Sequence, residues 1–589
     1  MSLPDTAPDS SNEIIPGEVS SQNKVSSIIF KDALTSLLVD DTCENFIGVP
    51  CFYKYSLSSF SRALDLTEPN PLYMQFRIFL QNLVLPHQES LTSAGILRPL
   101  WMSSVLSIQK NRIIIKELIS RWSRETHSFW CDWGEFSIAL EDVVALLELP
   151  LAEATPLPAI SLLPEEQTLC DHLVKCRNLI CQMNSNPTLS DWLSYLQNYL
   201  SAGDKLALAG LLSFWLHSFI FPSHKQLIPT SIFRIASVLA CGRKVDLASA
   251  FLGTIYMHLD QITYGFYTLK GRGGMISAIN TWFLQLFLFE HFPSRAPPRD
   301  DNPVVRSWNL DILGKELPRA FLWHACDIPA SEPLGAIIDY PDNFTRRPYT
   351  RKISGFAHLS IYPDIDIDLN SYYLGNNSNV SKEWVLNCFP HAIWAFDENS
   401  KNAHNLVPVA YRPDRMLRQF GYIQHWPHHF DVSFLVTVAR DFPFMSLSDM
   451  LMVPSKLHVP QISKEVDVTP SFATNWHRHS NSLKNPILPN THATLMDSTI
   501  VHHQTFKRSG DFGETSSREK KTRPSSGYYS TIIISFIHIY TYIYTYIYIC
   551  SLTCRIFFLD IPETQNYLEE IITDKPITLP LFPSEGKGK

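Results

Sequence analysis

Basic charge is not in excess in this sequence: 49 Lys and Arg stand against 57 Asp and Glu, a formal net charge of −8. That balance argues against a general nucleic-acid binder, which carries a basic face matched to the phosphate backbone. Only a local patch stays open. The 11 cysteines are odd in number and lack paired spacing, so reduced thiols in an intracellular compartment are expected. The opening residues, MSLPDTAPDSSNEIIPGEV, lack the basic start and apolar run of a secretory signal. Long apolar runs are few as well. Leu206 to Phe221 is strongly apolar, but a membrane helix needs about 20 such residues. This run is shorter, holds His217 and ends at Pro222, which predicts a buried core helix. The nucleus is the expected location, with the cytoplasm second.

What the chain does have is apolar material, 45% of residues with 12% aromatic, enough to bury a large core. Residues 1–25 are polar and Ser/Pro-containing and are expected to be disordered. An extension, 26–92, is expected to drape over a main domain at 93–476. In it Ile28 to Leu38 reads as a short helix, 46–60 as a loop, and Leu72 to Leu85 as a helix ended by Pro86. Helices are expected over 166–183, 189–200, 206–221, 231–259 and 275–292, with a Pro-rich loop between Pro150 and Pro164. From Pro293 prolines interrupt the pattern, and strand-like content returns at 384–395, 405–411 and 432–438. The tail, 477–589, reads as disordered or low-complexity. Within it, 531–553 alternates Ile and Tyr as translated AT/AC repeat DNA would, a gene-model artefact. By length it could also be a span, and by composition a β segment.

The periodicity changes repeatedly around Trp122 to Pro150, WSRETHSFWCDWGEFSIALEDVVALLELP. Ile115, Leu118, Ile119 and Trp122 recur at three-and-four spacing, which predicts one helix face. After His127 the pattern shortens through Phe129 and Cys131 to Trp133-Gly134, an extended arm reaching a turn. Helical spacing returns with Ala139, Val143, Leu146 and Leu147, and Pro150 stops it. Two helices joined by a small hairpin form a packing unit, with nothing in it that reads as a reaction centre.

The order Trp122, Glu125, Thr126, His127, Phe129, Gly134, Glu135, Leu140, Asp142, Val143 and Pro150 resembles the opening signature of the plant mobile domain family. That family is often labelled aminotransferase-like and is related to MAINTENANCE OF MERISTEMS proteins and to domains of plant transposable elements. A distant block, Pro413, Arg415, Arg418, Gln419, Phe420, Gly421 and Pro427, resembles its late P-x-R-V-x-R-Q-F-G element, with Met416 for Val. Leu252-Gly253-Thr254-Ile255-Tyr256 and Trp282 to Leu286 keep the family's order between them. The resemblance implies a mainly α-helical domain with minor β hairpins, in which the signature residues are structural. It further implies a nuclear, non-enzymatic protein-interaction scaffold acting in meristem maintenance, genome stability and transposon silencing. Protein partners, a phosphatase-like one among them, are implied, with nucleic acid indirect and no membrane. One departure matters locally: Ala139 stands where the family has a hydroxyl N-cap, leaving Ser137 to cap earlier or the helix start to fray, at a cost of about 0.5–2 kcal/mol.

The aminotransferase-like label needs a Schiff-base Lys, an acid at the pyridinium nitrogen and a phosphate cup. The nearest match is Lys270-Gly271-Arg272-Gly273-Gly274 at the start of a helix expected from Met275, and it is not a P-loop. We therefore expect no cofactor and no enzyme. Gly203-Asp204 and Gly510-Asp511 lack the companions of a metallophosphatase site. Asp364, Asp366 and Asp368 would share a strand face, either as a solvated guarded edge or as the metal site of a transposon-derived nucleic-acid-processing enzyme. Cys170, His172, Cys176 and Cys181 lack zinc spacing, and His425, His428 and His429 lack an acidic or Cys partner. No metal is expected. Arg415 and Arg418 would face one way, toward Glu135 or Glu141 within the fold or toward a partner's phosphate. Lys507-Arg508 and 518–523 read as solvated tail or an import signal.

Overall fold

In the computed structural model, residues 57–67 and 73–484 are described, apart from 152–153, 270–273, 300–313, 315, 328–333, 360, 362–390, 401–403, 425 and 427–467. The Ile28–Leu38 helix, Asp364, Asp366 and Asp368, the 432–438 strand, the three loop histidines, the import-like runs and 531–553 all lie outside the described residues. Everything described falls within one compact unit, 1–489.

That unit is mainly helical with small strand pairs. It opens with α1 (Leu57–Ala63), β1 (Leu64–Leu66), α2 (Tyr73–Ser93), α3 (Leu97–Val105) and α4 (Arg112–Ser120). A three-stranded antiparallel sheet follows, β2 (Trp122–Ser123), β3 (Ser128–Cys131) and β4 (Gly134–Phe136), in spatial order 2-3-4. Then come α5 (Leu140–Leu147), α6 (Pro164–Met183), α7 (Leu189–Tyr199), α8 (Lys205–Trp215), α9 (Thr230–Ala240) and α10 (Leu247–Thr268). The chain continues through β5 (Met275–Ser277), α11 (Thr281–His291) and the short α12 (Gly335–Ile338). It ends with the hairpin β6 (His391–Phe396) and β7 (Leu406–Tyr411), and with α13 (Pro470–Lys484).

Several local expectations are corrected. Trp122 is not on the helix: α4 ends at Ser120, and Trp122 pairs with Phe129 across β2 and β3, still fully buried. Residues 57–60 are helical rather than loop, because Phe60 is buried and packs edge-on against Phe266. Pro86 kinks α2 without ending it. Proline removes one backbone donor, His87 alone leaves helical geometry, and buried Leu91 carries the helix on to Ser93. The 231–259 pattern is two helices, separated where Gly242 adopts φ +85°. No helix begins at Met275; that segment pairs in parallel with β1, and the helix starts at Thr281. The tail boundary at 477 falls inside α13.

Helix α10 lies at the centre because its sequence is apolar on nearly every side, and such a helix must be covered all round. It packs against α5, β2, β5, β6 and β7. Contact with β6 is close. A Cβ on Gly253 would lie 2.8 Å from the Trp394 carbonyl oxygen, so only glycine lets strand backbone rest on the helix. Next door, Thr254 Oγ1 accepts from Phe396 N at 3.1 Å. Ala normally favours a helix by up to about 1 kcal/mol over Gly. Here Gly253→Ala is expected to destabilise by about 1–3 kcal/mol, because the obstacle is backbone and cannot rotate away. Thermal melting measures the sign, and an unchanged or raised midpoint would refute the close approach.

The apolar run 206–221 forms α8 and then a π-helical turn, Leu216–Ile220, buried throughout. His217 sits within it, its Nε2 lying 2.9 Å from the Lys225 carbonyl and its buried Nδ1 without a hydrogen-bond partner. Among the described residues no helix is long and apolar enough to cross a membrane.

Candidate functional site

The two signature blocks, almost 300 residues apart in sequence, meet in the interior. The late block is a 3-10 stretch, Pro413–Phe420, ended by Gly421 at φ +84°, a conformation that suits glycine. Arg415 on this stretch donates through Nε to Glu135 Oε2 at 2.6 Å, and through Nη2 to Oε1. Both side chains are about 95% buried or more. Gln419 Oε1 accepts from Ser137 N at 3.1 Å, so a second side chain of the block is fixed to the hairpin's exit. Arg418, three residues after Arg415, takes neither acid. Its guanidinium lies over the Trp133 ring at 5.1 Å and donates to the Trp133 carbonyl at 3.4 Å. Pro413 and Phe420 are buried beside them, and Pro427 lies outside the described residues.

The opening block is built around the β2–β3 turn. Trp122 Nε1 donates to Asp260 Oδ1 at 2.7 Å, and His127 Nε2 lies 3.0 Å from Asp260 Oδ2. The other His127 nitrogen, Nδ1, lies 2.6 Å from the Ala410 carbonyl. His127 holds φ +50°, an uncommon conformation for a side chain with a Cβ, kept by this double anchorage and by stacking on Trp122. Thr126 is buried with its hydroxyl 2.7 Å from Ser128 Oγ, while Glu125 stays half-exposed in the turn. Phe129 sits edge-on to Trp122, and Gly134 adopts φ +143° under the ring of Phe472.

Burial pulls the His127 pKa down, but the Asp260 carboxylate and the Ala410 carbonyl outweigh it and hold the group above 6.5. A raised pKa means that the folded state binds the proton more tightly. Its stabilisation is complete below about pH 6.5 and fades as pH rises through the folded value. Buried His87 and His217 and half-buried His258 have lowered pKa values, the last about 4, through desolvation, and oppose stability on acidification. The contribution of His127 is therefore read as a difference: wild type minus Asp260→Asn should lose its stability margin as pH climbs from 6 to 9. A pH-independent margin in chemical denaturation would refute the ion pair.

Helix α5 carries the third part. Asp142 Oδ2 accepts from Ala139 N at 2.6 Å, which keeps half of a capping box despite the alanine. Ser137 does not cap. Its hydroxyl donates to the His127 carbonyl at 2.7 Å and lies 3.0 Å from Tyr256 Oη, while Leu140 N is met instead by Tyr411 Oη at 3.3 Å. The cap is thus supplied from β7, 271 residues away in sequence. Asp142 Oδ1 accepts from Tyr349 Oη and faces His291 Nε2, each at 2.8 Å. Leu140 and Val143 are buried, and the Pro150 carbonyl accepts from Ala248 N.

Sequence reasoning missed Asp260, His291, Tyr349, Arg121 and Asp339. Arg121 donates to both Asp339 oxygens at 2.8 and 2.6 Å and to the Trp130 carbonyl. Glu117 accepts from Leu334 N and Gly335 N, each at 2.7 Å, so the 334–339 segment is clamped onto the hairpin. One signal was legible: Asp260 follows Tyr256 by one helical turn, which puts both on the side facing the signature. On the other side of the small sheet, Trp130 joins Phe472 and Trp476 in a separate apolar cluster, with Trp476 Nε1 donating to the Cys131 carbonyl at 3.1 Å.

The remaining candidates do not gather. Cys170 and Cys176 are buried on α6 whereas Cys181 is exposed. No group of three or more His, Cys, Asp or Glu among the described residues could hold a metal ion. Of the glycine-rich loop only Gly274 is described, and it leads into a strand. An open cleft of about 650 Å³, lined by Arg177, Lys225, Glu398 and Asn405 among others, includes none of the signature residues.

This is a helical domain in which two separated motifs are bound to each other by a buried ion pair and hydrogen bonds. The family profile of the plant mobile domain matches residues 96–476, and the chain belongs to that family. No curated protein and no solved structure matches it.

Proposed function

We propose that the protein is a non-enzymatic interaction scaffold of the nucleus, acting with protein partners in meristem maintenance, genome stability and transposon silencing. The observation that supports this most is how the signature residues are used. Arg415, Glu135, His127, Asp142 and Gln419 direct their polar atoms at side chains or at backbone within the fold. A catalytic constellation leaves a nucleophile or acid–base pair facing a site where a substrate atom can sit. A scaffold requires a rigid body whose outer surface selects partners, a phosphatase-like protein among them, with nucleic acid reached indirectly.

The test is recovery of the tagged full chain from plant nuclei, with partners identified by mass spectrometry. Nuclear enrichment and a reproducible set of chromatin- or phosphatase-associated proteins is the expected result. Metal-dependent cleavage of DNA or RNA by the purified chain, abolished by Asp366→Asn, would overturn the proposal in favour of a nucleic-acid-processing enzyme.

A further inference from the structure

Helix α2 has apolar residues on two opposite sides. Phe76, Leu80, Leu83 and Leu91 face the core and are fully buried. Met74, Ile78 and Leu85 are 62%, 52% and 66% exposed. At about 100° per residue these three fall within roughly 20° of one line, directly opposite the buried face. Scattered exposed apolar residues are ordinary, whereas several aligned on one face mark a contact surface. The line spans three turns and is interrupted by the polar Gln81 between Ile78 and Leu85.

The chain itself supplies a matching surface. In SSIIFKDALTSLLVDD, Ile29, Phe30, Ala33, Leu34, Leu37 and Leu38 recur at helical spacing, with Asp32, Thr35 and Ser36 on the other side. Ile29 to Leu38 would cover about 14 Å as a helix, and Met74 to Leu85 about 16 Å, so the two lines are of similar length. Residues 39–56 join this segment to the start of α1 and reach up to about 60 Å when extended, ample to bring it to α2. Both surfaces precede residue 96, where the family match begins.

We propose that the outer face of α2 is the seat of the chain's own segment Ile28–Leu38, docked as an amphipathic helix through Leu34 and Leu37. The inference is independent of the partner proposal. It is tested by placing a photoreactive benzoyl-phenylalanine at Ile78 in the full chain and irradiating an equal mixture of ¹⁴N- and ¹⁵N-labelled protein. Crosslinked peptides joining Ile78 to residues 28–38, isotopically unmixed, are expected. In the same chain carrying Leu34→Asp and Leu37→Asp the yield should fall at least tenfold, with cooperative melting retained. Isotopically mixed crosslinks would show a second copy on this face and overturn the proposal. So would crosslinks to any other segment, no crosslink at all, or a yield indifferent to the two aspartates.

Discussion

Arg415→Gln should unfold the domain or cost it about 3–5 kcal/mol, because Glu135 would be left charged and unpaired in the interior. Glu135→Gln should do the same from the other side. The expected signature of a buried pair lies in the double variant. Replacing Arg415 with Met and Glu135 with Leu removes both charges, and should recover much of what either single change loses. Arg418→Gln offers an internal comparison. It lies over an aromatic face with part of its surface in water, so about 1 kcal/mol is the expected loss. Equilibrium denaturation of the four variants orders them. If Arg415→Gln melts like wild type but loses a nuclear partner, the guanidinium serves an outside ligand and the internal assignment fails.

Asp142→Ala should be of similar severity by a different route. Its carboxylate faces the Ala139 amide, the His291 ring and the Tyr349 hydroxyl, all three buried. Removing it strands these donors in a region water does not reach, at roughly 1–3 kcal/mol for each group left unsatisfied. Tyr349 also lies 5.2 Å beneath the Arg319 guanidinium, which pairs with Glu290, so the damage should spread to the loop at 345–351. Tyr349→Phe removes one donor while Asp142 Oδ1 keeps His291 Nε2 beside it, and should cost far less, about 1 kcal/mol. Hydrogen exchange of the Thr345 to Thr350 amides is the discriminating readout. Fast exchange in Asp142→Ala with slow exchange in Tyr349→Phe is expected; equal protection in both would mean that the loop is held by other contacts.

Several features were legible because they are local. The alternation Phe129, Cys131 and the Trp133-Gly134 turn describe two strands of the small sheet, since period two and a turn residue suffice to define a hairpin. The helices expected over 166–183 and 189–200 stand at 164–183 and 189–199, because helical spacing and an Asn-Pro break between them suffice. The Met275 strand was not legible. Three residues carry too little period, and their pairing with Leu64–Leu66 is set by a chain segment more than 200 residues earlier. Capping failed for the same reason: the sequence shows Ala139 without a hydroxyl, and nothing near it shows that Tyr411 brings one.

The sequence by itself determined the helical class, the two signature blocks and the glycines at 134 and 421, because each rests on spacing or on the limits of one residue's backbone, whereas Gly253 is required only by the strand packed on it. The tertiary structure alone decided which charges meet. Arg415 could choose between two acids, and Asp260, His291 and Asp339 carried no mark of their roles, because partner choice depends on distances between elements that local sequence does not encode.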